Sequence, residues 1–81
     1  DIRNFNTSHV QNMQDMFREA GAVTIKASNL FNTDSATSSE RMFMGATYLV
    51  GENGTGYNTT HPDDKTYARR DVVGQPGYFT F

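Results

Sequence analysis

Residues 5–9 read FNTSH, residues 31–35 FNTDS and residues 57–61 YNTTH: an aromatic, an asparagine and a threonine return twice, each time after 26 residues. Three copies at one interval mark an internal repeat, and the rest of the chain supports it. The same shift places Met16 on Met42, Phe17 on Phe43 and Ala20 on Ala46, with Val23 falling on Leu49. In the third copy Ala68 and Arg69 occupy the Met-Phe slots, so the repeat fades there. The sequence therefore divides into two related units at 1–49 and a divergent third unit with a C-terminal cap at 50–81, within one structural domain.

A period near 26 lies within the range of leucine-rich-repeat solenoids, whose coils each supply one short strand and one short helix or turn. The expected fold is an α/β solenoid of this kind with an irregular C-terminal cap. Equivalent residues of stacked coils lie about 4.8 Å apart and form ladders. Phe5, Phe31 and Tyr57 are expected to stack as one ladder, Met16 on Met42 as a second and Phe17 on Phe43 as a third. Met13, Met16 and Phe17 have i, i+3, i+4 spacing and predict a short helix. Ser8 with Gln11 and Thr37 with Glu40 match capping boxes, and Gly21 and Gly45 suit helix ends. Val23–Ala27 alternates as a strand does, and Tyr78–Phe81 reads as a closing edge strand after the turn at Pro76-Gly77. Residues 51–66, GENGTGYNTTHPDDKT, read as an irregular loop in place of the third helix.

Composition narrows the function. The 81 residues are 36% hydrophobic, and six Phe, four Tyr and four Met supply much of what can be buried. Seven basic against nine acidic residues, with no basic block, give a phosphate backbone little to hold, so nucleic acid is not an expected partner. Without cysteine there is neither a disulfide scaffold nor a thiolate metal site. No apolar run in this segment is long enough to enter a bilayer as a spanning helix. The chain begins at Asp1, inside an apparent repeat, as a piece of a longer array would. Its first face, around Ile2 and Phe5, is expected to pack on preceding repeats of the same chain.

The runs NTSHVQNMQDMF, RMFMGATYLVGENGTGYN, TYARRD and PGYFT, in that order, resemble the end of the BspA-like leucine-rich-repeat surface proteins of bacteria. In that family a F-[DN]-T-S-x-V-x-x-M-x-x-M-F unit recurs and closes with an element like the one at 49–80. The resemblance implies a secreted, cell-surface solenoid that binds host or neighbouring-cell proteins or glycans without catalysis and without a cofactor. It carries no ligand-contact motif at residue level. Asp34–Ser39 departs from the unit by lacking its Val and inner Met.

Three alternatives come from the residues. His61 with Asp63 and Asp64 has the composition of an acid/base or metal site for a small hydrolase, but no third ligand stands at a recognised spacing. Tyr48, Tyr57, Tyr67 and Tyr78 are candidates for stacking on sugars, as in a carbohydrate-binding module, although ladder and cap packing is the favoured account, since three of them sit in the inferred cap. Gly51–Gly56 has the glycines of a phosphate-cradling loop without its Lys-Ser/Thr ending or its following helix. The methionines are expected to fill core space rather than bind a soft metal. Asn32 and Asp34 begin an oxygen cluster too sparse for calcium.

Overall fold

In the computed structural model, which describes residues 1–81, the asparagine of each recurring triplet closes its own turn. The Oδ1 of Asn6, Asn32 and Asn58 accepts from the amide two residues on, at 3.0, 3.3 and 2.9 Å. This Asx turn is what the short amide side chain does best, and it explains why asparagine returns at the interval. The threonine does something else. Buried Thr7 donates its hydroxyl to the Asn32 carbonyl at 2.7 Å and accepts from the Asn32 amide at 2.8 Å. It thereby ties one triplet to the next.

The segments predicted as helices are tandem four-residue turns instead. Main-chain bonds link Met16 to Met13 and Ala20 to Phe17, then Met42 to Ser39 and Ala46 to Phe43. The third residue of each turn has positive φ: Asp15 at 58°, Glu19 at 56°, Arg41 at 58° and Gly45 at 77°. These four are two pairs at the repeat interval, so the left-handed positions recur even where no glycine marks them. An i, i+4 apolar spacing serves two successive turns as well as one helix, which is why the pattern misleads. The capping boxes are not formed. Thr37 donates to the Gln11 carbonyl, and Glu40 accepts from the Gln14 side chain across the units. Gly45, not Gly21, is the glycine with a turn to close.

Between the units the main chain makes a regular ladder. The amides of Met13, Asp15, Phe17 and Glu19 donate to the carbonyls of Ser38, Glu40, Met42 and Met44, each 25 residues further on. Asn12 and Ser38 form a parallel bridge within it. The strand predicted at Val23–Ala27 is β1, Ile25–Lys26, and it pairs in parallel with β2, Phe79–Thr80, from the far end of the chain. Phe79 is also bridged in parallel to Arg70, so β2 lies between β1 and the Arg70 row. A 3-10 turn at Lys65–Tyr67 sits over the second unit, where Lys65 Nζ reaches the Ala36 carbonyl. The chain measures 28 × 24 × 22 Å.

Aromatic rings from both parts fill the centre. Phe17 stacks on Phe43 with centroids 5.4 Å apart, and Phe79 meets Phe31 edge-on at 4.9 Å. Phe5, Phe31 and Tyr57 do not stack on one another. Phe5 is 55% exposed, Phe31 turns to Phe17 and Phe79, and Tyr57 packs against Tyr78. The reason is the closing strand: β2 brings Phe79 to Phe31, and Tyr57 is drawn into the cap. Met42 is fully buried whereas Met16, its equivalent, is 38% exposed.

Candidate functional site

The residues suspected of acid/base chemistry are held apart by local bonds. His61 places Nδ1 3.1 Å from the Tyr78 hydroxyl and stacks on the Tyr67 ring at 4.6 Å. Asp64 turns away to cap the 3-10 turn, accepting from the Thr66 amide and hydroxyl at 2.9 and 2.6 Å. The Thr66 side chain is the main reason that its carboxyl lies below the ordinary range. Asp63 serves through its carbonyl, which accepts from the Phe43 amide. Nowhere do three His, Asp or Glu side chains come close enough to hold a metal ion. Asn32 and Asp34 spend their proximity on the Asx turn.

The tyrosines divide in the same way. Tyr78 is buried, and burial pushes its hydroxyl up to about 12. Tyr67 lies between His61 and Tyr78, and the Tyr57 hydroxyl accepts from the Gly45 amide at 3.3 Å. Only Tyr48, 67% exposed, offers its ring to a partner. Met13 and Met42 are core residues, while Met16 and Met44 lie at the surface.

The Gly51–Gly56 loop does cradle an anion, and the anion is the protein's own. Asp71, 2% exposed, accepts from the Asn53 and Thr55 amides at 2.8 and 2.9 Å, from the Thr55 hydroxyl at 2.7 Å and from the Gly77 amide at 3.2 Å. Burial pulls this carboxyl up, but the four donors outweigh it and hold it below the ordinary range. No cation neutralises it; neighbouring Arg70 pairs with Glu52 instead. The glycines are steric necessities. A Cβ on Gly51 would lie 2.4 Å from the Gly77 carbonyl oxygen, and one on Gly77 2.2 Å from that of Arg69. Asp71 thus gathers GENGTG, the RRD run and the Pro76-Gly77 turn into one knot.

Residues 1–71, from the first Asx turn to this buried aspartate, match the family model described as "Mycoplasma protein of unknown function, DUF285". The chain belongs to this family. No curated protein and no solved structure matched it.

What remains for this family member is surface. No pocket is present, and its largest exposed apolar side chains are spread over several places. Val73 is 88% exposed at the tip of the Val72–Gln75 turn, and Val23 and Val50 meet where the Val50 amide donates to the Val23 carbonyl. Phe5 and Met16 belong to the first unit. Sequence reasoning overlooked two residues that organise the molecule, Thr7 and Asp71. The recurrence of threonine carried a signal for the first. For Asp71, which directly follows Arg69 and Arg70, the string carried no such signal.

Proposed function

We propose that the chain is a non-catalytic interaction module, the capping end of a stack of leucine-rich-repeat-like coils on a bacterial cell surface. The observation that carries this reading is the constant 25-residue offset of the amide-to-carbonyl ladder between the first two units, together with its replacement by a differently built third. In this reading the two units are coils and residues 50–81 are their lid. Domains of this family also occur in BspA-like surface proteins, which favours adhesion to a host or neighbouring-cell protein or glycan. With no pocket in the fold, the exposed side chains suit a protein or glycan partner better than a small molecule.

The test uses the whole parent protein on intact cells. External protease is expected to destroy an epitope within residues 1–81 without lysis, and cells lacking the protein should adhere less. An epitope that becomes sensitive only after lysis would overturn the surface assignment. Glycan binding that disappears with Tyr48→Ala would replace a protein partner by a carbohydrate one.

A further inference from the structure

The loop around Asp71 holds the one asparagine whose sequence neighbour leaves it open to attack. Of the seven asparagines only Asn53 precedes a glycine. Asn6, Asn12, Asn32 and Asn58 commit Oδ1 to the amide two residues on. Asn4 and Asn29 precede Phe5 and Leu30, whose side chains crowd the next amide nitrogen. Asn53 gives the knot only its main-chain amide, so its carboxamide is free to turn. Asn53 and Gly54 are both exposed, and no atom lies within 4 Å of where a Gly54 Cβ would stand. Packing therefore gives this peptide bond no shelter. Hydrogen bonds do: the Gly54 amide donates to the Gly51 carbonyl at 3.0 Å, and the amides of Asn53 and Thr55, one on each side, share Oδ2 of Asp71.

We infer that Asn53 is a site of spontaneous deamidation gated by the Asp71 knot, and that the reaction, once it has run, keeps the knot from reclosing. The Gly54 nitrogen loses its proton to solvent and attacks Cγ of Asn53. The Cγ–Nδ2 bond breaks, and ammonia leaves with its additional proton drawn from water. Water then opens the cyclic imide. Breaking the imide bond to Cγ leaves aspartate at position 53, and breaking the bond to the main-chain carbonyl carbon leaves isoaspartate. In sum water is consumed and ammonia released, with no oxidant or reductant. In the closed loop the Gly51 carbonyl holds the proton that must leave, and Asp71 fixes the peptide planes on both sides. Local opening releases both restraints. Isoaspartate then lengthens the main chain by a methylene between two amides that have to meet on one carboxylate oxygen. Either product adds a negative charge to a loop that already closes around one, with Arg70 taken by Glu52. A transient opening of the cap is thereby made permanent.

The experiment incubates the 81-residue chain at slightly alkaline pH, folded and in urea, and follows residue 53 by peptide mass and by isoaspartate-specific methylation. Deamidation of the folded chain is expected to be at least about tenfold slower than in urea. Asp71→Asn should bring the folded rate to within about threefold of the urea rate. Thr55→Val removes only the hydroxyl donor to Asp71. It should raise the folded rate at least about threefold while the Met13 and Phe17 amides stay protected from hydrogen exchange. Equal rates in the folded and urea-treated chain, or a folded rate that neither substitution raises, overturn the gating by Asp71. A residue 53 that stays intact even in urea overturns the site itself. The deamidated chain should unfold at a lower urea concentration than the fresh one, and an unchanged midpoint overturns the one-way step.

Discussion

The two halves of the molecule are held together by different groups. Residues 1–49 are joined mainly by main chain to main chain, with Thr7 as the one buried side-chain link. Residues 50–81 converge on the carboxylate of Asp71. Main-chain ladders ask of the sequence only a backbone shape, so the two units can differ at most positions and still match. A side-chain hub asks for one residue and for glycines around it. The first half should therefore tolerate substitution broadly at its exposed positions, and the second should fail at a point.

The largest effect expected from breaking this contrast is at that point. Asp71→Ala leaves four buried donors without an acceptor and is expected to cost about 3–5 kcal/mol, read from urea unfolding. Acid should imitate it. Because the folded-state pKa lies below the ordinary value of 3.8, the contribution of Asp71 is complete above that value and is lost as pH falls through the folded one. In Asp71→Asn this acid-dependent component should be missing from a stability-against-pH curve. A next test is Phe43→Ala, expected at about 3–5 kcal/mol for a fully buried ring, against roughly half of that for the partly buried ring in Phe17→Ala. Equal losses would mean that the open side of the stack is as well covered as its centre.

The smallest effects test the backbone half. Gly45 has φ +77°, and a Cβ there would come within 2.9 Å of the Glu19 side chain. Gly45→Ala is expected to destabilise by about 1–2 kcal/mol. Glu19, its counterpart, holds the same left-handed turn without being glycine. Glu19→Gly should therefore stabilise by about 0.5–1 kcal/mol in thermal or urea melts. Opposite signs at two equivalent positions would show that the turns, rather than the residues, are what repeats.

Much of this was legible in the amino acids, and the gaps have physical causes. The interval between FNTSH, FNTDS and YNTTH anticipated which units lie side by side, because a main-chain ladder at fixed offset requires equal lengths. The places of β1 and the closing strand were legible from alternation and from the Pro76-Gly77 turn. The tandem turns were not, since apolar residues at i and i+4 satisfy both a helix and a pair of turns, and Asp15, Glu19 and Arg41 do not advertise positive φ. The ladder of Phe5, Phe31 and Tyr57 was misplaced because β2, distant in sequence, supplies Phe79 to the middle of it. Of the candidate site, the sequence offers no third ligand beside the His61 cluster, and only geometry reveals that Tyr78 and Thr66 engage its members. Asp71 was hidden because an aspartate that folds a loop and one that sits in solvent look alike in a string.

The acceptors that residues 50–81 bring to the second unit have a consequence for growth. The amides of Phe43 and Gly45, counterparts of Phe17 and Glu19, end on the Asp63 carbonyl and the Tyr57 hydroxyl. A chain cut after Leu49 would present those amides bare on one side, while the carbonyls of Asn12, Gln14, Met16 and Arg18 are already bare on the other. The last 32 residues thus cover, within the same chain, donors that would otherwise be open to another chain.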